Sequence, residues 1–283
     1  MTQAYRERRF SAPDGLSLAF RDYGDPLSPG IPLLCLSGLA RNAKDFAHFA
    51  ERQAARRRVV CLDMRGRGRS AYDPKWENYR PEVYLRDVAA LLAAANLHHF
   101  VVCGTSMGGL LAMGLAVTNP TALAGVIFND VGPAVQTQAI GRIRDLIARN
   151  DALPNWDAAV AKVKEVHADL NYDAEWKWRR LAEASYHEDE DGKLRVEWDT
   201  NIARTLGGQI PDLWPFFRAI KRLPALAIRG ENSPVLSAET FAAMLAEKPD
   251  LIQVTVPGTG HAPALDEPEA EQAIDDFLAR IDG

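Results

Sequence analysis

The sequence predicts an α/β protein with a doubly wound, mostly parallel sheet, and three observations support this prediction. Short, continuous apolar runs recur along the chain, as expected of parallel strands that are buried on both faces. Stretches of helical period separate these runs. The first 23 residues instead alternate in polarity around Pro13-Asp14-Gly15, which indicates an antiparallel hairpin at the start of the sheet.

The elements follow one another regularly except in one long segment. The apolar runs place the strands after the hairpin at 31–36, 59–62, 100–103, 123–128, 223–228 and 251–256. Helical patterns occupy 43–55, 81–97, 110–117, 237–246 (with Ser237 as N-cap) and 268–281. Residues 134–221 show a helical pattern with no clear strand run. We therefore predict a core of residues 1–133 and 222–283, with 134–221 as a helical cap inserted between two core strands.

Composition narrows the class of partner and the compartment. A formal net charge of -5 gives no general attraction to nucleic acid or anionic membranes. The charged N-terminus does not resemble a signal peptide, and no apolar stretch reaches the roughly 18 residues of a membrane span. Cys35, Cys61 and Cys103 lie in apolar runs, as expected of buried, reduced thiols. These features predict a cytoplasmic protein that binds neither nucleic acid nor membranes.

The chemistry centres on the sequence Gly-Thr-Ser-Met-Gly at 104–108, which joins a predicted strand to a predicted helix. In that context G-x-S-x-G forms a sharp turn that exposes the serine hydroxyl. Glycines at 104 and 108 leave room for the strand and helix to approach closely. We therefore predict Ser106 as a nucleophile, with the Met107 N–H and the helix N-terminus beside a developing oxyanion.

Further candidates follow other strands, because the carboxyl ends of parallel strands meet at one edge of a sheet. His261, alone among six histidines, lies in a glycine-rich loop after a core strand, so it is the predicted general base. Leu39, after Ser37-Gly38, is placed to supply the second oxyanion N–H. The alternatives are a structural role for His261 and, for the loop that contains Leu39, an ordinary turn without a catalytic role.

The carboxylate that would orient His261 is the least determined member of the site. The loop after the 223–228 strand contains Glu231 and no aspartate. Asp130 directly follows the preceding strand, beside the nucleophile strand, and is the favoured acid. Glu231 is the alternative acid, and a dyad assisted by water or by Ser233 is a third option. Asp63, also at a strand end, is interpreted as structural.

Four motifs resemble the α/β-hydrolase fold superfamily, specifically bacterial enzymes with a helical cap. They are Leu-Ser-Gly-Leu at 36–39, Asp-Met-Arg-Gly-Arg-Gly-Arg-Ser at 63–70, the serine turn at 104–109, and Gly-Thr-Gly-His at 258–261 with Glu267-Pro268. The resemblance implies nucleophile Ser106, base His261 and oxyanion N–H groups from Leu39 and Met107. The chain departs from the family pattern at Ser37, where histidine is usual, and at Ser233-Pro234, where the family normally carries its triad aspartate.

A serine at this turn points to acyl transfer, and the chain is similar to enol-lactonases and small-molecule carboxylesterases. We predict hydrolysis of a small ester or lactone with an apolar or aromatic acyl group, for which the aromatic side chains of 134–221 are candidate pocket residues. Alternatively, these aromatic side chains form the hydrophobic core of the cap itself. Alternatives are C–C bond hydrolysis, cofactor-free base chemistry, or a non-catalytic ligand-binding homologue. No metal, nucleotide or flavin is expected, because no glycine-rich phosphate loop or clustered metal ligands occur in the sequence.

Overall fold

The apolar runs form the strands of one eight-stranded sheet in a computed structural model that describes residues 4–134, 137–207 and 211–283. In chain order the strands of the described part are β1 (Tyr5–Ser11), β2 (Ser17–Tyr23), β3 (Gly30–Leu36), β4 (Arg57–Asp63), β5 (Phe100–Thr105), β6 (Leu123–Asn129), β7 (Tyr186–Glu188), β8 (Leu194–Val196), β9 (Ala225–Gly230) and β10 (Ile252–Val256). The sheet order is β1-β2-β4-β3-β5-β6-β9-β10, and β7 pairs only with β8.

The register of the sheet confirms the doubly wound, mostly parallel prediction. β1 pairs antiparallel with β2, and β2 antiparallel with β4, so the predicted hairpin forms one edge. All remaining neighbours, from β4 across to β10, are parallel. The carboxyl ends of β3, β5, β6, β9 and β10 therefore lie along one edge of the sheet, and the loops that follow them can contact one another.

The helices of the described part either cover the two faces of this sheet or lie in the segment between β6 and β9. They are α1 (Ala47–Gln53), α2 (Pro81–Ala94), α3 (Met107–Thr118), α4 (Thr137–Ile147), α5 (Trp156–Val166), α6 (Glu175–Ser185), α7 (Trp214–Ala219), α8 (Ala238–Glu247) and α9 (Pro268–Asp282). Alternate residues of β3 show the two-sided burial: Leu34 and Leu36 pack with one apolar cluster, Leu33 and Cys35 with the other. None of the described helices combines the length and apolar composition that a membrane crossing requires.

Several helix boundaries differ from the sequence prediction, and two of the differences have a clear local cause. The predicted helix at 43–55 begins as a 3-10 turn, Ala43–Phe46, because the Ala43 N–H donates to Asp63 Oδ1 (2.7 Å) and the Lys44 N–H to the Asn42 side chain (3.0 Å). The helix predicted at 81–97 ends at Ala94, since Asn96 takes a left-handed φ of 54°. Ser237 caps α8 as predicted, its Oγ accepting from the Thr240 N–H.

Residues 134–221, called the insertion below, lie between β6 and β9 and contain α4 to α7. They also contain the short β7–β8 hairpin, which the sequence prediction of a purely helical segment missed. Each of these strands has three residues, too few for an alternation in polarity to be recognisable. Backbone bridges join Trp198 of the insertion to Arg67 in the loop after β4, so the hairpin side is tied to the core.

Candidate active site

The turn between β5 and α3 holds Ser106 in a strained backbone conformation. Its φ is 52° and its ψ is -118°, a region that non-glycine residues rarely adopt. The flanking glycines are required by packing: a Cβ on Gly104 would lie 2.4 Å from the Gly108 backbone, and one on Gly108 would lie 1.9 Å from the Leu36 carbonyl oxygen. The sequence predicted this close approach of strand and helix. The sharp turn between them exposes the Ser106 side chain at the carboxyl end of β5.

His261 and Asp130 are in direct contact. Asp130 follows β6, is fully buried, and has a left-handed φ of 54°. Its Oδ2 lies 2.6 Å from His261 Nδ1. An ionised carboxylate can only accept, so the ring bears its proton on Nδ1 and donates it, which leaves Nε2 as the free acceptor nitrogen of the imidazole.

Two donors, one from the end of β9 and one from the loop after it, hold the Asp130 carboxylate in place. The Gly230 N–H donates to Oδ1 at 2.9 Å, and the Ser233 hydroxyl donates to Oδ2 at 2.5 Å. Ser233 therefore holds Asp130 in place. It lies in the region where the α/β-hydrolase superfamily, which the motifs resemble, normally carries its triad aspartate. A buried carboxylate with three donors is held at one position and one rotamer, as a ring-orienting group needs.

Glu231, the alternative acid, does not reach the imidazole. Its side chain is exposed, and its Oε2 accepts a hydrogen bond from the Gly258 N–H at 2.8 Å. The carboxylate thus braces the start of the His261 loop from outside. Its position one residue beyond the end of β9 directs it toward the neighbouring loop and away from the buried side of the imidazole.

The loop after β3 lies against the serine. A Cβ on Gly38 would be 3.7 Å from Ser106 Cβ, and Ser37 Oγ closes the loop by donating to the Arg41 carbonyl oxygen at 3.0 Å. The backbone N–H groups of Leu39 and Met107 donate to no other residue in the described part of the chain. Two unpaired N–H groups, one in the loop after β3 and one directly after Ser106, match the donor set that an oxyanion requires.

A second carboxylate reaches His261 from the insertion. Asp169, in a 3-10 turn at Ala168–Leu170, accepts the His261 backbone N–H through Oδ2 at 2.9 Å. It packs so closely that a Cβ on Gly260 would lie 2.0 Å from the same oxygen. Asn171 adds a hydrogen bond from Nδ2 to the Gly258 carbonyl oxygen at 2.8 Å. The insertion therefore fixes the backbone of the His261 loop.

One cavity of about 560 Å³ lies beside Ser106 and His261. Ser106, His261, Leu39 and Met107 border it from the core, and residues of the insertion form the other wall. Most of the lining is aliphatic, contributed by Leu110, Val131, Leu146, Ile147, Leu170, Leu181 and Leu206 among others. This is the size and polarity of a site for a small organic ligand.

His167 is the histidine of the insertion that borders the same cavity. Burial, with smaller contributions from the charges of Arg41 and His261, lowers its pKa to about 3. The ring is therefore neutral near pH 7 and offers the cavity a hydrogen-bonding group without charge.

The tryptophans of the insertion are not pocket residues. None of the insertion's tryptophans borders the cavity in the described part of the chain; they are Trp156, Trp176, Trp178, Trp198 and Trp214. Among the other aromatic side chains of 134–221, only Tyr172 borders it. Trp178 and Trp198 are buried in the insertion's own packing, their indole N–H groups donating to the carbonyl oxygens of Tyr172 and Ile147. Of the two interpretations given to the aromatic side chains of 134–221, Trp178 and Trp198 follow the second, as part of the insertion's own core.

Comparison with known proteins agrees with the geometry. The sequence model of the alpha/beta hydrolase family matches residues 33–273. The chain belongs to this family. It is 32% identical over 270 residues to a 3-hydroxybutyrate-oligomer hydrolase of Cupriavidus necator, covering 91% of each chain. It is 27% identical over 230 residues to a 2-(acetamidomethylene)succinate hydrolase of Mesorhizobium japonicum, covering 81% of each chain.

A solved alpha/beta hydrolase from Novosphingobium aromaticivorans has the same architecture throughout. It superposes with a TM-score of 0.92 at 41% identity, covering 99% of this chain and 100% of the other. Together with the family match and the named hydrolases, this supports a hydrolase activity for the chain. The resemblance seen in the sequence motifs and the predicted fold class are both confirmed.

In this alpha/beta hydrolase the structure brings together five of the six predicted site residues and leaves out Glu231. The residues that the sequence did not reveal, Asp169, Asn171 and His167, all come from the insertion. Gly260 could have hinted at them, because a glycine beside the predicted base implies that something packs there. Among residues 4–134, 137–207 and 211–283, no three His, Cys, Asp or Glu side chains cluster as metal ligands.

Proposed function

We propose that this alpha/beta hydrolase is a serine hydrolase that cleaves small carboxylic esters or lactones through an acyl-enzyme. The observation that carries the proposal is the Asp130–His261 contact, behind an imidazole that borders the same cavity as Ser106. In this proposal the oriented base and the serine on its strained turn act on a ligand that fills this cavity. In this proposal the insertion acts as a cap over the serine.

The proposed mechanism has two half-reactions, acylation of Ser106 and hydrolysis of the acyl-enzyme. Ser106 Oγ attacks the acyl carbon while its proton passes to His261 Nε2, and Asp130 stabilises the imidazolium. The N–H groups of Leu39 and Met107 bind the oxyanion of the tetrahedral intermediate. His261 then gives the proton to the leaving alkoxide. In the second half, water loses a proton to His261, attacks the acyl carbon and releases Ser106 with its proton restored.

The cavity and the relatives together suggest the substrate class. An aliphatic cavity of about 560 Å³ suits a short acyl chain with a small alcohol portion. The relative at 32% identity is named for hydrolysis of 3-hydroxybutyrate oligomers, which are short linear esters. We therefore expect dimers and trimers of short hydroxy acids to be substrates, and 4-nitrophenyl esters of short acids to serve as chromogenic probes.

Labelling with a fluorophosphonate tests the proposal directly. Intact mass spectrometry should find one adduct on the wild type and none on Ser106→Ala, while turnover of 4-nitrophenyl butyrate falls by at least three orders of magnitude in that variant. Ser11→Ala, which removes an exposed serine at the end of β1, is the control and should keep both. Turnover that survives Ser106→Ala would refute a serine mechanism. Saturable ligand binding without an adduct would favour a ligand-binding homologue.

A further inference from the structure

The charged side chains at the cavity wall are strongly unequal in sign. Five cationic residues border the cavity against a single carboxylate, Asp45: these are Arg41, Lys44, Arg80, Lys177 and Arg180. Such an imbalance is unexpected in a chain with a net charge of -5. A cavity that is otherwise aliphatic therefore carries positive charge on its wall.

Two of these cations are already neutralised within the protein. The Arg41 guanidinium forms hydrogen bonds from Nε and Nη2 to Asp45, and its Nη1 donates to Ser185 Oγ at 2.6 Å. Lys44 Nζ lies 2.5 Å from Glu197 Oε1. Their positions are fixed by partners, so they are unsuited to receive a further anion.

Arg180, on α6, is incompletely paired. Its Nη2 donates to Asp266 Oδ2 at 2.8 Å, and this is its one hydrogen bond to the part of the chain that the structure describes. Nη1 is buried there without any acceptor. Lys177 shares the same Asp266 carboxylate at 3.3 Å and also lies 3.6 Å from the exposed Asp173. One buried carboxylate therefore serves two cations at the cavity wall.

An unpaired guanidinium N–H in a buried setting is unfavourable, and an arriving carboxylate would relieve it. The planar guanidinium presents paired N–H groups that match the two oxygens of a carboxylate. The Trp176 ring packs 4.9 Å from the Arg180 guanidinium carbon, and such packing on the face leaves the N–H edges free to donate.

Arg180 is also connected to the proposed catalytic base. Asp266, its partner, lies on the loop that carries His261, and Ala262, Pro263 and Ala264 of that loop border the cavity. A ligand held by Arg180 would therefore lie beside the His261 loop, in the cavity that Ser106 also borders.

We propose that Arg180, assisted by Lys177, binds a free carboxylate on the substrate, so that the preferred substrates are anionic esters. The inference rests on the proposed serine hydrolase function and deepens it, since it names the chemical class that the site selects. A hydroxy-acid oligomer with one free carboxyl end belongs to that class, whereas a neutral triglyceride or alkyl ester does not.

The test compares kcat/KM for the 3-hydroxybutyrate dimer and for its primary amide, which has the same shape and no charge. The wild type should favour the free acid by about tenfold or more, and Arg180→Gln should bring that ratio close to one. Arg180→Lys keeps the charge without the planar fork, and should retain part of the preference. Arg179→Gln is the matched control: Arg179 is the next residue on α6, is exposed, and pairs with Glu183.

The ratio of kcat/KM for the free acid to kcat/KM for the amide distinguishes a role of Arg180 in substrate recognition from a structural role. A purely structural role of Arg180 through Asp266 would lower kcat/KM equally for both compounds, and would overturn the inference. So would a wild-type ratio near one. If the fluorophosphonate adduct on Ser106 forms while the ratio is one, only the anionic preference fails. If the adduct is absent as well, the proposed function itself fails.

Discussion

Two carboxylates hold His261, and they come from different regions of the molecule. Asp130 belongs to the sheet edge, is fully buried and contacts the imidazole ring. Asp169 belongs to the insertion and contacts the backbone N–H of the same residue. The core therefore determines the proton position on the ring, and the insertion determines where the loop bearing the ring lies. Orientation and placement of one residue are divided between two parts of the fold.

This division implies different consequences when each contact is lost. Losing Asp130 removes the group that fixes the tautomer and stabilises the imidazolium, so the chemical step itself suffers. Losing Asp169 leaves the tautomer intact and lets the backbone shift by a fraction of an ångström to an ångström. Misplacement of that size costs less than loss of the charge, although it remains measurable.

Asp130→Asn should produce the largest effect. We expect kcat/KM for 4-nitrophenyl butyrate to fall by about four orders of magnitude, because the amide that replaces the carboxylate favours the wrong imidazole tautomer and carries no charge. Circular dichroism should show that the sheet persists. Glu231→Gln, at the neighbouring strand end, is the matched control and should stay within about twofold of wild type. A large loss in Glu231→Gln and none in Asp130→Asn would reverse our assignment.

Asp169→Ala should produce a smaller loss, confined to placement of the His261 loop. We expect kcat/KM to fall by about tenfold to a hundredfold, mainly through kcat. The bell-shaped pH profile should keep its position, because the Asp130–His261 contact is untouched. The measurements are steady-state kinetics and a pH–rate profile on the purified variant.

The control for this change is Asp157→Ala, which removes an exposed carboxylate from the first turn of α5 in the same insertion. It should leave the kinetics unaltered. Asp169→Asn retains an acceptor oxygen for the His261 N–H and should recover part of the loss. If Asp169→Ala displaced the pH profile as strongly as Asp130→Asn, the separation between orientation and placement would be wrong.

The same division explains how far the sequence could predict the site. Ser106, His261, Leu39 and Met107 follow strands, and the carboxyl ends of parallel strands converge by topology alone. Asp130 could be chosen over Glu231 on the same ground, since β6 neighbours the nucleophile strand β5. The carboxylate of Asp130 reaches the ring because the chain turns at a left-handed residue, a detail that strand order does not contain.

The insertion offers no such rule. Asp169 and Arg180 lie in a turn and a helix whose direction depends on how short helices pack, so their distance from the cavity cannot be read from spacing. The β7–β8 hairpin was missed for the same reason. Local pattern predicted that a helical segment is inserted here, and tertiary packing decided which of its side chains face the serine.

The lowered pKa of His167, in the insertion, makes the free energy of unfolding depend on pH. Burial lowers its pKa in the folded protein to about 3, whereas an unfolded histidine titrates near 6.5. Between these values the unfolded chain binds the proton and the folded one does not, so stability is lost as pH falls through that window.

His167→Gln removes this loss, so its free energy of unfolding should fall less than that of the wild type between pH 6 and pH 4. Complete burial would make the difference larger, but the side chain is half-buried at the cavity wall, and we expect about 1 kcal/mol. Urea titrations at the two pH values measure it. His99→Gln, which removes an exposed histidine before β5, controls for the loss of one titrating group. Equal losses in the wild type and in His167→Gln would mean that the insertion opens enough to protonate His167 before the chain unfolds, and the placement that we assign to Asp169 would then be equally labile at acid pH.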